Sequence, residues 1–324
     1  MQRNYSIDIL KALCAFLVII LHVAWAYTDT FLPLARAAVP VFFMISGYFM
    51  YRDSAAGVGA DRLRRALRRI GMITLWATLL FIGWSELMSL VQNHRLFTPS
   101  IAETLIDWAL CNDCPFGYHL WYLYAYIYVL LIIGLIDRAG KWRLLFRITP
   151  FLLLALPLYS LFTGGDTVYL RNFLFEGLPY FALGAYFKSL KAVPRLRGAH
   201  WWVLLFCLTS IGESIILTRM GLPCRREMYI STPLLAISLF LMFLSIPTHR
   251  PTWLSKLGER DSLYIYILHP IFIQLLYPIA ERTGSRRSRR RSPPSSYFSP
   301  PSSPSASCAA SASSASHNEV GGVY

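Results

Sequence analysis

Charge is scarce in this chain. Only 15% of its 324 residues are Asp, Glu, Lys or Arg, while 55% are hydrophobic and the mean hydropathy is +0.45. That balance excludes an ordinary water-soluble domain, in which about a quarter of residues are charged. Acidic residues are scarcer still, 17 against 31 basic ones, for a formal charge of +14. Also missing are a Walker phosphate loop, a Rossmann glycine fingerprint and a His-Glu-x-x-His zinc motif. The classes those motifs mark therefore have no support, and no metal is expected. Short segments of strict apolar–polar alternation are absent too, which argues against a membrane β-barrel.

Long apolar runs are abundant. A helix needs roughly 20 mainly apolar residues to cross the hydrocarbon core, and nine stretches qualify: 9–27, 33–51, 70–91, 120–136, 144–162, 173–188, 201–218, 230–247 and 263–280. Helices satisfy their own backbone in lipid, so the expected fold is an all-α, polytopic transmembrane bundle of about nine spans. Arg3 and Lys11 before the first run, with Ala35-Arg36-Ala37 beyond it, resemble a signal peptide. That cleavage-like site is too far from the apolar core, and the chain returns at once to apolar sequence.

The basic residues fix an expected orientation. Arg52, Arg62, Arg64, Arg65, Arg68 and Arg69 follow the second span. Arg138, Lys141, Arg143 and Arg147 follow the fourth, and Lys188, Lys191, Arg195 and Arg197 follow the sixth. Every second loop is basic, which places those loops and the N-terminus in the cytoplasm. Arginines beside helix ends are contacts for anionic lipids rather than for nucleic acid. The opposite loops carry Asp29, His94, Asp107, Asp113 and Asp166, and also Cys111, Cys114 and Cys224. On that side a local or loop-to-loop disulfide is the expectation, because a lone Cys-x-x-Cys is a weak metal signal. Cys14 and Cys207, inside spans, read as small packing residues.

After residue 281 the composition changes to an arginine block and then to Ser, Pro and Ala. The expected organisation is a membrane domain over 1–281 and a disordered tail over 282–324. An arginine block on the outer side breaks the positive-inside rule, so either a tenth span is missing or the tail is foreign to the fold, as a shifted reading frame would make it.

Four segments carry polar groups where packing alone does not call for them. In the first span Asp8 and Lys11 share a helix face, and His22 lies about three turns further on. An ionisable side chain inside a span is costly, which favours function over packing for His22. The second segment is Pro40-Val-Phe-Phe-Met-Ile-Ser46-Gly47. Here the proline reads as a kink and Ser46-Gly47 as a place of close backbone approach; no base lies beside Ser46 to make it a nucleophile. The third is Tyr118-His119-Leu-Trp121-Tyr122-Leu-Tyr124-Ala-Tyr126, at once an interfacial anchor and a floor for a sugar ring. The fourth is Ser262-Leu-Tyr-Ile-Tyr266-Ile-Leu-His269-Pro270, with a second histidine before a helix-bending proline.

Taken together, these segments resemble the acyltransferase 3 family of integral-membrane acyltransferases, whose bacterial members include O-acetyltransferases of surface glycans. The residues that carry the resemblance are Lys11-x10-His22, Pro40-x-Phe-Phe-x-x-Ser46-Gly47, His119-x-Trp121-Tyr122-Leu123 and Ser262-x-x-x-Tyr266-x-x-His269. Leu178-Pro-Tyr-Phe-Ala-Leu-Gly184 also looks like the family's sixth span. The likeness runs from about Asn4 to Ala280. It departs from the family in having lysine where arginine is usual, which keeps the charge and loses the bidentate fork. It departs again in showing nine spans where ten are usual.

The resemblance implies a multi-pass protein of the bacterial inner membrane. It also implies transfer of an acyl group, most often acetyl from acetyl-CoA as donor substrate, to a hydroxyl of a glycan or lipid-linked glycan. Lys11 is expected to face the donor's phosphates, His22 to act as base, His119 to help hold the acceptor and His269 to orient the site. Asp8, Ser46, Trp121, Tyr122, Arg171 and Tyr266 are the expected substrate contacts. At 1.5 Å per residue, His22 lies roughly 20 Å into its span and His269 about 10 Å into its own, so the two are not expected to touch. The competing readings are a transporter or flippase for a saccharide or lipid-linked saccharide, and a structural or regulatory membrane subunit.

Overall fold

The computed structural model describes residues 5–23, 28–52, 56–96, 112, 114–162, 171–190, 197–222 and 226–283. Within them the chain is helical from end to end. In order come α1 (Ser6–His22), α2 (Thr28–Ala35), α3 (Ala38–Met50), α4 (Ala60–Asn93), α5 (Trp121–Arg138), α6 (Trp142–Phe162), α7 (Leu178–Ser189), α8 (Ala199–Arg219), α9 (Thr232–Ser245), α10 (Trp253–Arg260) and α11 (Ser262–Thr283). A 3-10 turn, Tyr118–Leu120, leads into α5, and a wide π turn, Phe173–Gly177, leads into α7. Five stretches are long and apolar enough to cross a membrane: Thr30–Met50, Ala60–Gln92, Tyr118–Arg138, Trp142–Phe162 and Ala199–Arg219. The protein is a multi-pass helical membrane bundle. Cys111, Cys224, Asp107, Asp113, Asp166 and the tail from 284 onward lie outside the described residues.

Two spans differ in form from their sequence reading. The second is broken at Arg36–Ala37, where the Arg36 N–H still reaches Leu32 O at 3.1 Å but the Ala37 N–H turns to Leu34 O. Pro40 is therefore no mid-helix kink. It sits in the first turn of a new helix, where N–H groups have no intrahelical partner to lose. The basic loop after the second span is largely helix: α4 begins at Ala60, and Arg62, Arg64, Arg65, Arg68 and Arg69 form its first turns. Arginine is a good helix former. At 34 residues, α4 is about 51 Å long, well beyond a hydrocarbon core of about 30 Å. Its middle shows Met72, Leu75, Trp76, Leu79 and Leu80 on the outside, as a lipid-facing helix should.

Lipid is as apolar as leucine, so helix association in a membrane depends on close packing rather than on escape from water. Glycine supplies that closeness twice. Gly47 of α3 lies against the Phe181 carbonyl of α7, and Gly184 of α7 lies against the Met44 carbonyl of α3; a Cβ on either would run into backbone. Around this seam sit Leu10 and Cys14 of α1, Phe43 and Met44 of α3, Leu123 and Val129 of α5, and Tyr180 of α7, all almost wholly buried.

One end of the bundle is basic and is tied by a single carboxylate. Asp137, at the end of α5, accepts hydrogen bonds from Val58 N at 2.9 Å, Gly59 N at 3.0 Å and Trp142 Nε1 at 2.7 Å. It thereby fixes where α4 and α6 begin.

Candidate active site

Opposite the basic end, three histidines from three distant segments converge. The rings of His22 (α1) and His269 (α11) lie 4.8 Å apart between centroids, and those of His119 and His269 5.3 Å. The expectation that His22 and His269 would not touch is therefore overturned, and α10 is the reason. Its Thr252–Ser255 capping box starts a short helix that climbs beside α1. Thr248 bonds to Tyr5 and Ser6 at the foot of α1, whereas Gly258 packs against the backbone at Asp8 and Ala12. His269 is eleven residues past Gly258, and His22 is ten past Ala12. Both rings thus stand about 16 Å above the shared level. Counting both helices from one depth misses this offset.

Proline then decides the chemistry of His269. Within a helix, Pro270 has no N–H to offer the Tyr266 carbonyl one turn below. His269 Nδ1 takes that vacated acceptor at 2.7 Å. A carbonyl oxygen only accepts, so Nδ1 carries the proton and the neutral ring presents its lone pair at Nε2. That Nε2 is buried and has no hydrogen-bond partner among the described residues. His119 is clamped by the same helix: its Nε2 donates to Ile267 O at 3.0 Å, and the Tyr266 hydroxyl donates to His119 O. Phe81 of α4 rests edge-on against the His119 ring at 4.5 Å. Among the described residues, no three His, Cys, Asp or Glu side chains are placed to hold a metal ion together.

A column of hydroxyls descends from the histidines. Tyr122 packs on Tyr266 at 5.3 Å and lies nearly parallel to Tyr126 at 6.1 Å. The Ser46 hydroxyl donates to Phe42 O, one turn back on its own helix, at 2.9 Å. Its seat on the α3–α7 glycine seam makes it a packing residue beside the column.

Beside the histidines lies an ionic cluster that the motifs did not reveal. Glu227, in the turn before α9, accepts from Arg36 Nη1 at 2.7 Å and from Arg171 Nη1 at 3.0 Å on one oxygen. Arg171 also lies over Tyr118 at 4.2 Å and Trp121 at 5.1 Å, and Asn172 beside it caps the π turn through Leu174 N and Phe175 N. Burial works to raise the Glu227 carboxyl, yet the Arg171 and Arg36 guanidiniums hold it below its ordinary value. In sequence, Arg36 belonged to the cleavage-like site and Glu227 to no motif. The break in the second span is what turns Arg36 inward, and apolar patterning carries no signal for such a break.

Asp8 and Lys11 are at the other end. They pair at 3.0 Å, as their spacing implied, and Lys11 Nζ sits 5.6 Å above the Phe49 ring. Lys188 lies over Tyr48 at 4.9 Å, and Arg62 donates to the last carbonyls of α3, Phe49 O and Met50 O. Lys11 and His22 are thus on one helix but about 16 Å apart along it. The expected site residues form two groups, a basic mouth and a histidine chamber, with the Ser46–Tyr122 column between them.

A family model described as an acyltransferase domain, that of the acyltransferase 3 family, matches residues 4–301. An amino-acid racemase of Enterococcus faecalis is 27% identical over 317 residues, covering 86% of this chain and 42% of the relative. A serine/alanine racemase of Enterococcus gallinarum is 26% identical over 303 residues, 84% of this chain and 41% of the relative. The chain spans about two-fifths of the length of the curated relatives it matches. No solved structure gives a significant match. With a match running through all four motif segments and the three histidines they bring together, the chain belongs to the acyltransferase 3 family of membrane proteins.

Proposed function

We propose that this protein moves an acyl group, in the first instance acetyl from acetyl-CoA, to a hydroxyl of a cell-surface glycan or of its lipid-linked precursor. The reading rests above all on the unpartnered Nε2 lone pair of His269, held between His22 and His119 by motifs far apart in sequence. The basic end is cytoplasmic and takes the donor's phosphates at Lys11. The acceptor enters at the histidine end, where Trp121, Tyr122 and Arg171 offer an aromatic and cationic surface. His269 Nε2 takes the proton of the acceptor hydroxyl as its oxygen attacks the thioester carbon. A C–O bond forms, the C–S bond breaks, and the departing thiolate recovers the proton. His22, its ring tilted against that of His269, acts with it as one unit. The membrane concerned is the bacterial inner membrane.

The test is acyl-CoA consumption together with acyl transfer to glycan by the purified full chain. A transporter leaves acyl-CoA intact. Wild-type protein that consumes none in the presence of an acceptor extract overturns the reading. The racemase names of the relatives favour one variation, in which the hydroxyl belongs to a small amino acid or to a molecule that bears one. Labelled serine in place of glycan, in the same assay, separates the two acceptors.

A further inference from the structure

Arg36, beside the histidine chamber, offers more than the described residues use. A guanidinium presents five N–H donors, whereas one carboxylate oxygen accepts about two hydrogen bonds. Arg36 and Arg171 converge on one oxygen of Glu227, and Arg36 Nε is buried with no partner among the described residues. The other carboxyl within electrostatic reach of both, Glu176, is buried and makes no ion pair with either. Desolvating such a cluster is costly, and well-packed apolar residues often serve a scaffold as well. The place of this cluster points instead to a ligand. Arg171 lies over the rings of Tyr118 and Trp121, which flank His119, and both arginines are within electrostatic reach of His22. Arg36 and Glu227 keep 19% and 15% of their side-chain surface, so a ligand can reach them.

We propose that Arg36 and Arg171 receive an acidic group, a carboxylate or a phosphate, carried by the acceptor, and that Glu227 fills that place at rest. The inference rests on the acyl-transfer reading for the role of the bound molecule, though not for its charge. A planar guanidinium pair grips either acid through paired N–H groups. Tyr118 keeps 42% of its surface exposed beside Arg171, and that part of its ring suits the apolar side of a sugar. A uronic acid or a sugar phosphate joins the two features in one molecule.

The experiment measures thermal unfolding of the purified full chain in neutral detergent with D-glucuronate, D-glucose 6-phosphate or D-glucose at matched ionic strength. At least one acid should raise the midpoint by several degrees and D-glucose should not. Which acid does so distinguishes carboxylate from phosphate. Glu227→Gln removes the resident carboxylate and should lower the concentration needed at least tenfold, whereas Arg171→Gln should abolish the response. Equal stabilisation by D-glucose, or no response to either acid in both wild type and Glu227→Gln, overturns the proposal. His269→Ala should lose acyl transfer and keep the response. Failure of the transfer reading is therefore visible separately from failure of this one.

Discussion

The two ends of the bundle hold charge in opposite ways. At the basic end Lys11 is a quarter exposed and pairs with Asp8, three residues away, and Arg62 spends its donors on the last carbonyls of α3. At the histidine end Arg36, Arg171 and Glu227 are largely buried and come from segments far apart in sequence. A charge at the surface is held by local spacing and by water. A charge in the interior is held only by the fold, so breaking it should disturb far more.

The largest expected effect is at the histidines. His269→Ala and His22→Ala should each lower acyl transfer by about 10²- to 10⁴-fold. If the rings act as one unit, the double variant should be little worse than either single one. Steady-state rates of all three at matched protein levels check this, and multiplicative losses would separate the two rings.

Next comes the glycine seam. Gly184→Val forces a branched side chain into the Met44 backbone, and the cost should be about 3 kcal/mol or more. The readout is the thermal midpoint and the folded yield in detergent. A variant as stable as wild type would mean that the seam is looser than described.

The ionic cluster should give the protein an acid limit. The folded-state carboxyl of Glu227 is held below its ordinary value of 4.5. Its contribution is therefore complete above that pH and is lost as pH falls through the lowered value. Thermal midpoints measured from pH 7 down to 3.5 should drop steeply at the acid end, and less so in Glu227→Gln. Parallel profiles would show that other carboxylates set the limit.

The smallest effect on stability, and the sharpest contrast, belongs to Lys11. Its part-buried pair with Asp8 contributes about 1 kcal/mol, so Lys11→Ala should lower the midpoint by only a few degrees. If donor phosphates rest there, KM for acyl-CoA should rise severalfold with kcat nearly unchanged, and Lys11→Arg should lower KM below wild type. An unchanged KM would remove Lys11 from donor binding.

The same contrast explains what could be read in the sequence. Apolar runs marked most of the helices to within a few residues, because crossing lipid leaves the chain little choice, although α4 starts ten residues before the run at 70–91. The Asp8–Lys11 pair followed from spacing, and the contact at Gly47 from a small residue in an apolar stretch. The meeting of His22 with His269 was not legible, since it depends on α10 lifting the start of α11, a tertiary offset that no periodicity encodes. Arg36 and Glu227 were missed for a related reason. A broken helix and a turn before α9 bring them together, and neither leaves a pattern in hydropathy.

Pro270 shows how far such a backbone detail can reach. Mid-helix proline costs about 3 kcal/mol, so Pro270→Ala should give a straighter, sturdier α11. The restored N–H would reclaim the Tyr266 carbonyl, and His269 would be free to rotate or to move its proton to the other nitrogen. Durability and turnover would then pull in opposite directions at one residue that never meets a substrate.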